Sequence, residues 1–266
     1  MPIYWREIAR NRTAFLVWTL TLSSFCVFLM TFYPTVTAQA EKLDALMKQY
    51  PAQMVQAFNF DRLRMSDPMG FYGTETYLFM TLFGSIYAML LFIALLSREE
   101  SEKTAEFLLP KPVSRIEVLL SKALAAFTYI TLFNLVLGAL NFGLFEIYAK
   151  GEYSRKILLL LIVGPYLMHL VFGAVAILLS VFIVKARAVY PVSIGVVLAA
   201  YFLDILSKLS KDADWLKYLT PFKYIDAADI VTKARIASLS LLVMGGVVLF
   251  CFAVSLVLYH RKDIAA

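Results

Sequence analysis

Chemistry inside a membrane, or the pumping of ions, requires ionisable side chains within apolar runs, and this sequence has very few of them. His169 is the only titratable side chain deep in an apolar run, whereas Asp204 and Glu146 lie near the ends of such runs, where they can reach water. An isolated histidine is not a proton relay, and a buried charge is costly enough to be kept only for a purpose. His169 is therefore either a hydrogen-bonded packing residue or part of the lining of a pathway.

The sequence also lacks the motifs of common catalytic and nucleotide-binding sites. Its two histidines, His169 and His260, are far apart in the sequence, so no HExxH zinc site can form. Neither GxSxG nor GxxxxGKS/T occurs, and without the latter the chain does not bind ATP through a phosphate-cradling loop. We predict no catalytic, cofactor-binding or metal-ligating residue in this chain.

Uncharged polar residues do occur within the apolar runs. Asn134, Gly138 and Asn141 are separated by four and three positions, which places them on one face of a helix. Such a face either contacts a neighbouring helix closely or lines a pathway together with His169. The sequence leaves both roles open.

The composition indicates which elements position these residues. Of the 266 residues 61% are hydrophobic and 17% are charged, and the mean hydropathy is +0.75, whereas soluble domains are about 45–50% apolar. Cys26 and Cys251 both lie in apolar runs, which excludes a secreted disulfide scaffold. We predict an all-α polytopic membrane protein with one domain over residues 1–266 and six spans, each long enough to cross a bilayer, at about 13–32, 76–96, 123–145, 157–184, 189–206 and 237–259.

The distribution of lysine and arginine predicts which side of the membrane the loops face. These residues are denser in the short segments 1–12, 97–122, 185–188 and 260–266 than in the longer segments between the other span ends. Because positive charge marks the cytoplasmic side, we predict cytoplasmic termini. The net charge of +6 suits lipid headgroups in so hydrophobic a chain, and we predict the lipid bilayer, not nucleic acid, as its charged partner.

Residues 1–12, before the first span, have an amphipathic pattern. At 100° per residue Trp5 and Ile8 fall on one arc of a helix, and Arg6, Glu7 and Asn11 fall on the other. This pattern predicts a helix that lies in the membrane interface. The alternative is a simple extension of the first span.

The segment 97–122 is the most charged part of the chain and links two spans. Glu99, Glu102 and Glu106 recur at steps of three and four, which gathers them on one helical face, while Leu108 and Leu109 fall on another. We expect a short amphipathic helix that ends at the prolines that follow. A solvated connector would explain such a loop, but acidic and apolar residues presented together between two rigid spans also suit docking of a soluble partner.

A second helix is expected directly after this amphipathic segment. Ser114 stands three residues before Glu117, which is the spacing of a capping box. We predict that Ser114 caps a helix that continues into the third span.

The segment 97–122 resembles the signature of permeases of the type-2 ABC exporter superfamily. That signature has an acidic residue, a GTxExLL core and a PxSR ending before a lysine, and Lys103 stands here in place of the usual glycine. The stretches 50–58, 219–224 and 261–264 are similar to the family's outer loop, its segment before the final span and its terminal tail, so the resemblance covers the whole chain. The matching residues of the signature are Glu99 or Glu100, Thr104, Glu106, Leu108, Leu109, Pro112, Ser114, Arg115 and Lys122.

The resemblance implies an interfacial elbow helix at residues 1–12 and a cytoplasmic coupling helix near Glu99 to Leu109. It implies a permease dimer, either two copies of this chain or this chain with a close paralogue, on two cytoplasmic ABC ATPase subunits that bind Mg-ATP at the cell membrane. Export follows from the family, and a pathway lined by Phe, Tyr, Met, Ser, Thr and Asn suits a peptide, a drug or antibiotic, or a lipid. The residues implied to couple to the ATPase are Glu99, Glu100, Glu102, Thr104, Glu106, Leu108, Leu109, Pro112 and Arg115.

Two other classes of function compete with a permease. An intramembrane enzyme that modifies lipids could use charged residues of the outer loops at the headgroup level, although no catalytic arrangement is recognisable. A structural subunit of a membrane complex, without transport, would need no pathway. The loop residues available to the enzyme are Asp61, Arg62, Arg64 and Asp67.

Overall fold

The structure is a computed structural model that describes residues 2–39, 42, 45–46, 49–101, 114–183 and 186–261, which are helical with no strand. A π-helical turn covers Tyr72–Thr76, and 3₁₀ helices cover Ala186–Ala188, Lys211–Leu219 and Pro221–Ile225. The α-helices are α1 (Pro2–Thr37), α2 (Ala52–Ala57), α3 (Pro68–Phe71), α4 (Tyr77–Ser101), α5 (Arg115–Tyr148), α6 (Arg155–Ser180), α7 (Val189–Leu209), α8 (Ala227–Lys233) and α9 (Ser238–Arg261).

Within the described ranges, six helical stretches are long and apolar enough to cross a membrane, which confirms the predicted number of spans. They are α1, the continuous stretch Pro68–Leu95, α5, α6, α7 and α9. Because the number is even, Pro2 and Arg261 lie at the same end of the bundle, here termed the terminal end. The opposite end, termed the loop end, carries α2, the 3₁₀ helices at 211–225 and α8.

Helix α4 is the centre of the bundle, because its span is the most completely buried of the six. It packs most extensively on α6. Glycines permit this close approach: a Cβ atom on Gly173 would lie 2.8 Å from Phe92 Cε2, and one on Gly84 would lie 2.3 Å from His169 Nε2. A side chain at either glycine would therefore force α4 and α6 apart in a densely packed interior.

Helix α1 runs unbroken from Pro2 to Thr37, so an elbow helix separate from the first span is not confirmed. The residues that are buried in the first turns of α1 are also not the ones that the amphipathic pattern predicts. Glu7 and Asn11, which the pattern places on the polar arc, are 3% and 5% exposed and contact protein. Glu7 can be buried because Lys122 of α5 pairs with it, and Asn11 can be buried because it donates to Glu7.

The segment before the last span packs into the loop end of the bundle. One 3₁₀ helix ends at Leu219, and a second begins at Pro221. Phe222 and Ile225 are buried there. The hydroxyl of Tyr77 on α4 donates to the Ile225 carbonyl at 2.6 Å, so that this segment is hydrogen-bonded to the central helix.

Candidate functional site

Most of the residues implied to couple to an ATPase lie at positions 102–113, outside the described residues. The backbone of Glu99 and Glu100 is helical and belongs to the end of α4, and Arg115 is the first residue of α5. The two stems of the coupling segment, the end of α4 and the start of α5, are therefore described. The residues outside the described part are Glu102, Thr104, Glu106, Leu108, Leu109 and Pro112.

The second stem begins as the sequence predicts. The Ser114 hydroxyl accepts a hydrogen bond from the backbone N–H of Glu117, with 3.1 Å between oxygen and nitrogen. This cap satisfies one of the backbone donors that a helix leaves without an intrahelical partner. The Glu117 carboxylate in the first turn also lies at the positive end of the helix dipole. The start of α5 is thus fixed by local chemistry.

A buried lysine joins both stems to the first helix. The Lys122 side chain on α5 is 1% exposed, and its ammonium donates to the Leu95 carbonyl of α4 at 2.6 Å and to Glu7 Oε1 of α1 at 3.3 Å. A buried ion pair has a desolvation cost of several kcal/mol, which is offset only where the geometry is good and further hydrogen bonds satisfy the charges. Here Lys122 bonds to α1 and α4 at once, so three helices meet at one ammonium.

The carboxylate of this pair is itself held by its own helix. Asn11 Nδ2 donates to the Glu7 carbonyl at 3.0 Å and to Glu7 Oε2 at 3.3 Å, and the Arg6 guanidinium lies 3.9 Å from Glu7 Oε1. About two turns beyond Lys122 on α5, the Tyr129 hydroxyl donates to the carbonyl of Ile8, the residue after Glu7. The first turns of α1 are therefore hydrogen-bonded to α5 along their length.

Sequence reasoning included Lys122 only as the last residue of a motif and assigned no role to Glu7. A signal was present, because Ile3, Glu7 and Asn11 recur at steps of four and so form one line along a helix. A line that mixes one apolar and two polar side chains suits a face that contacts both apolar and charged protein groups. Only the position of Lys122, 115 residues away, shows that the face is internal.

The four residues predicted as possible pathway lining lie inside the protomer, where α4, α5 and α6 meet. Asn134 Oδ1 is 3.1 Å from His169 Nδ1, and His169 Nε2 is 3.2 Å from the Met80 carbonyl oxygen. Asn141 Nδ2 is 3.4 Å from the sulfur of Met80, and a Cβ atom on Gly138 would lie 2.7 Å from an isoleucine methyl of α6. These contacts are those of a packed helix interface. A lining role for the four residues stays a prediction.

A second charged cluster forms at the loop end around Asp226, the residue that caps α8. Its Oδ1 accepts from the Asp229 N–H at 3.0 Å, and its Oδ2 accepts from Asn59 Nδ2 at 2.9 Å and from Lys208 Nζ at 3.2 Å. The Arg62 guanidinium pairs with both Asp226 and Asp229. Burial by itself raises the pKa of Asp226, but the Lys208 ammonium and the hydrogen bond from Asn59 outweigh it and hold that pKa below its ordinary value.

The loop residues available to the enzyme alternative are not gathered into one site. Asp67 caps α3, and its Oδ2 accepts from the Gly70 N–H at 3.0 Å. Asp61 and Arg62 line a cavity at the loop end. Across the described ranges, no group of three or more His, Cys, Asp or Glu side chains is placed to hold a metal ion.

Six apolar helices of spanning length, with charged clusters at both ends of the bundle, define this chain as an integral membrane protein. The chain belongs to the ABC-2 family transporter protein family, whose model matches residues 1–264. This match confirms the family that the motifs of the sequence resemble, and it supports a permease of the ABC-2 type. No curated protein matches the chain.

Proposed function

We propose that this chain is the permease subunit of an ABC-2 exporter, works as a dimer with a second copy or a close paralogue, and has no ATPase activity of its own. Mg-ATP binds to a separate cytoplasmic ATPase subunit. The sequence supports this division, since it contains no GxxxxGKS/T motif. The family match over residues 1–264 supports transport as the activity of the complex.

The observation that carries the proposal is the buried bond of Lys122 to α1 and α4. An ATPase that closes on nucleotide would displace the coupling segment, and a displacement moves the helices only if the stems are rigidly attached to them. Lys122 attaches the start of α5 to Leu95, near the end of α4, and to Glu7 on α1. Movement of the coupling segment is thereby transmitted to three spans together, which suits rigid-body switching of access between two permease subunits.

The proposed cargo is a hydrophobic or amphipathic molecule such as a peptide, a drug or antibiotic, or a lipid. The spans support this choice because their described polar side chains are mostly uncharged and hydrogen-bonded inside the protomer, as for Asn134 and Asn141. An ion pathway would need charged or carbonyl ligands along its length. The proposed location is the cell membrane, with the terminal end of the bundle and its arginine-rich first turns in the cytoplasm.

The proposal is tested by purifying the chain with its co-expressed ATPase, reconstituting the complex in vesicles and measuring ATP hydrolysis. We expect hydrolysis to depend on this chain and to fall by about tenfold or more in Glu106→Lys, because charge reversal at an interface anchor removes a favourable contact and adds a repulsive one. Glu152→Lys, the same charge change at the loop end, is the matched control and should leave hydrolysis unchanged.

Three outcomes would contradict the proposal. The first is transport by the chain alone, without a nucleotide-hydrolysing partner. The second is equal hydrolysis for Glu106→Lys and the control variant. The third is turnover of a lipid by the isolated chain, which would favour the intramembrane enzyme.

A further inference from the structure

A cavity of about 510 Å³ opens at the loop end, between the loop after α2, the last turns of α7 and the segment that leads into α8. Every residue that lines it is polar or charged. Ligand pockets of this size are usually lined mostly by apolar side chains with few polar groups. A ligand that fits this cavity must therefore be small, polar and ionic.

The walls of the cavity are held in place before any ligand arrives. Asp226 accepts hydrogen bonds from Asn59 and Lys208, and Arg62 pairs with Asp226 and Asp229. Because these carboxylates and cations neutralise one another within the wall, they need no counter-ion from a ligand. The groups that could recognise a ligand are those that the wall leaves without a partner.

Five side chains on the cavity wall have such unmet bonding capacity in the described part of the chain, namely Gln56, Asp61, Asp204, Ser210 and Lys223. Gln56, Asp61 and Ser210 are exposed and can be hydrated, so the more buried Asp204 and Lys223 are the groups that gain most from a ligand. Asp204 is 5% exposed, and its Oδ2 pairs with Lys208 at 2.9 Å, but its buried Oδ1 has no hydrogen-bond donor in the described part of the chain. Lys223 also lines the cavity, and it makes no hydrogen bond and no salt bridge with any described residue. The cavity thus presents an acceptor that needs a donor and, close to it, a cation that needs an anion.

We propose that this cavity binds a zwitterionic group that carries a primary ammonium and an anion a few bonds apart, such as a phosphoethanolamine group. The ammonium donates to Asp204, and the anion pairs with Lys223. The bond satisfies a buried oxygen that is otherwise costly to leave without a donor.

The position of the cavity makes a lipid headgroup and a free solute both available as sources of this group. Asp204 and Lys208 lie in the last two turns of a span, α7. Trp215 and Tyr218, on the neighbouring 3₁₀ helix, are 60% exposed each, and exposed aromatic side chains are typical of the headgroup level. The site is independent of the proposed function, since it needs neither nucleotide nor transport.

The test is calorimetric titration of glycerophosphoethanolamine into the full chain in phosphatidylcholine nanodiscs. We expect saturable binding that is at least about tenfold tighter than that of glycerophosphocholine, which has the same charges but no N–H donor for Asp204. Repetition in nanodiscs that contain phosphatidylethanolamine separates the two sources. Loss of binding there identifies the lipid headgroup as the occupant, and unchanged binding identifies a free solute; both results support the chemistry of the site.

Variants locate the binding within the chain. We expect Lys223→Gln and Asp204→Asn each to weaken binding by about tenfold or more. Lys233→Gln should leave binding within about twofold, because Lys233 pairs with Asp229 of the wall but does not itself line the cavity. Lys223 has no structural bond to lose, so that its variant is informative even if Asp204→Asn fails to fold. Equal binding of the two probes, no heat at millimolar probe, or equal effects of Lys223→Gln and Lys233→Gln would each overturn the proposal and leave a water-filled cleft.

Discussion

Replacement of Lys122 by methionine should reveal how strongly the terminal end of the bundle depends on its buried ion pair. Methionine fills a similar volume but removes the buried cation beside the Glu7 carboxylate, which keeps only the exposed Arg6 guanidinium at 3.9 Å, and it removes the donor to the Leu95 carbonyl. Breaking a buried pair by removal of one partner costs about 3–5 kcal/mol. Because Asn11 still donates to Glu7, we expect the lower end of that range, about 3 kcal/mol.

A double-mutant cycle separates the ion pair from the rest of the site. Glu7→Gln alone should cost about 2–3 kcal/mol, since the Lys122 ammonium stays buried beside a neutral amide. Glu7→Leu combined with Lys122→Met replaces both charges by apolar groups, and such replacements are often close to neutral. The combined variant should therefore be more stable than Lys122→Met alone, with a coupling energy of about 2 kcal/mol or more in the cycle of Glu7→Leu and Lys122→Met.

The assay is equilibrium unfolding in mixed micelles of increasing dodecyl sulfate content, followed by the fluorescence of the three tryptophans. Lys150→Met, at an exposed position of the loop end, is the matched control and should change the free energy of unfolding by at most about 0.5 kcal/mol. A cost below about 1 kcal/mol for Lys122→Met, or single effects that simply add in the combined variant, would refute the structural role assigned to the pair.

Three further predictions follow from single contacts. Gly84→Ala should destabilise the chain by about 1–3 kcal/mol, because its Cβ would meet the buried ring of His169, whereas Gly245→Ala, with open space around it, should be neutral or slightly stabilising in the same unfolding assay. Ser114→Ala should lower stability by about 1 kcal/mol through loss of the cap of α5, and Ser114→Asp should restore it. Asp226 has a lowered pKa in the folded chain, so its stabilising effect is complete above the ordinary value of 3.8 and is lost as the pH falls below it. The thermal unfolding midpoint should therefore drop as the pH falls below 3.8, and less steeply in Asp226→Asn.

The spans and the start of α5 were predictable from the sequence because their causes are local. A run of about 20 apolar residues defines a span whatever it packs against, and a capping serine such as Ser114 acts on the turn that follows it. All six spans and this cap are confirmed. The long loops have no such local cause, because their folded arrangement depends on contacts between distant segments.

The buried ion pair could not be predicted from local patterns. A helical projection of residues 1–12 sorts Glu7 and Asn11 with the arginines by polarity alone, and it contains no information about a cation 115 residues away. The cavity at the loop end could not be predicted from local patterns either, since Asn59, Asp204 and Lys223 come from three separate stretches of the chain. Sequence reasoning found the residues of each loop but not the space that they enclose together.

The two charged clusters also constrain how the proposed permease can move. Lys122 bonds α5 to α1 and α4 at the terminal end, and Asp226 bonds the loop after α2 to α7 and α8 at the loop end. Sliding of α1, α4 and α5 past one another would break the buried ion pair of Lys122, at a cost of about 3–5 kcal/mol. Sliding at the loop end would break the partly buried contacts of Asp226. Under the proposed function, the cheaper motion is therefore displacement of the whole protomer as a rigid body, which places the change of access between subunits and not within one.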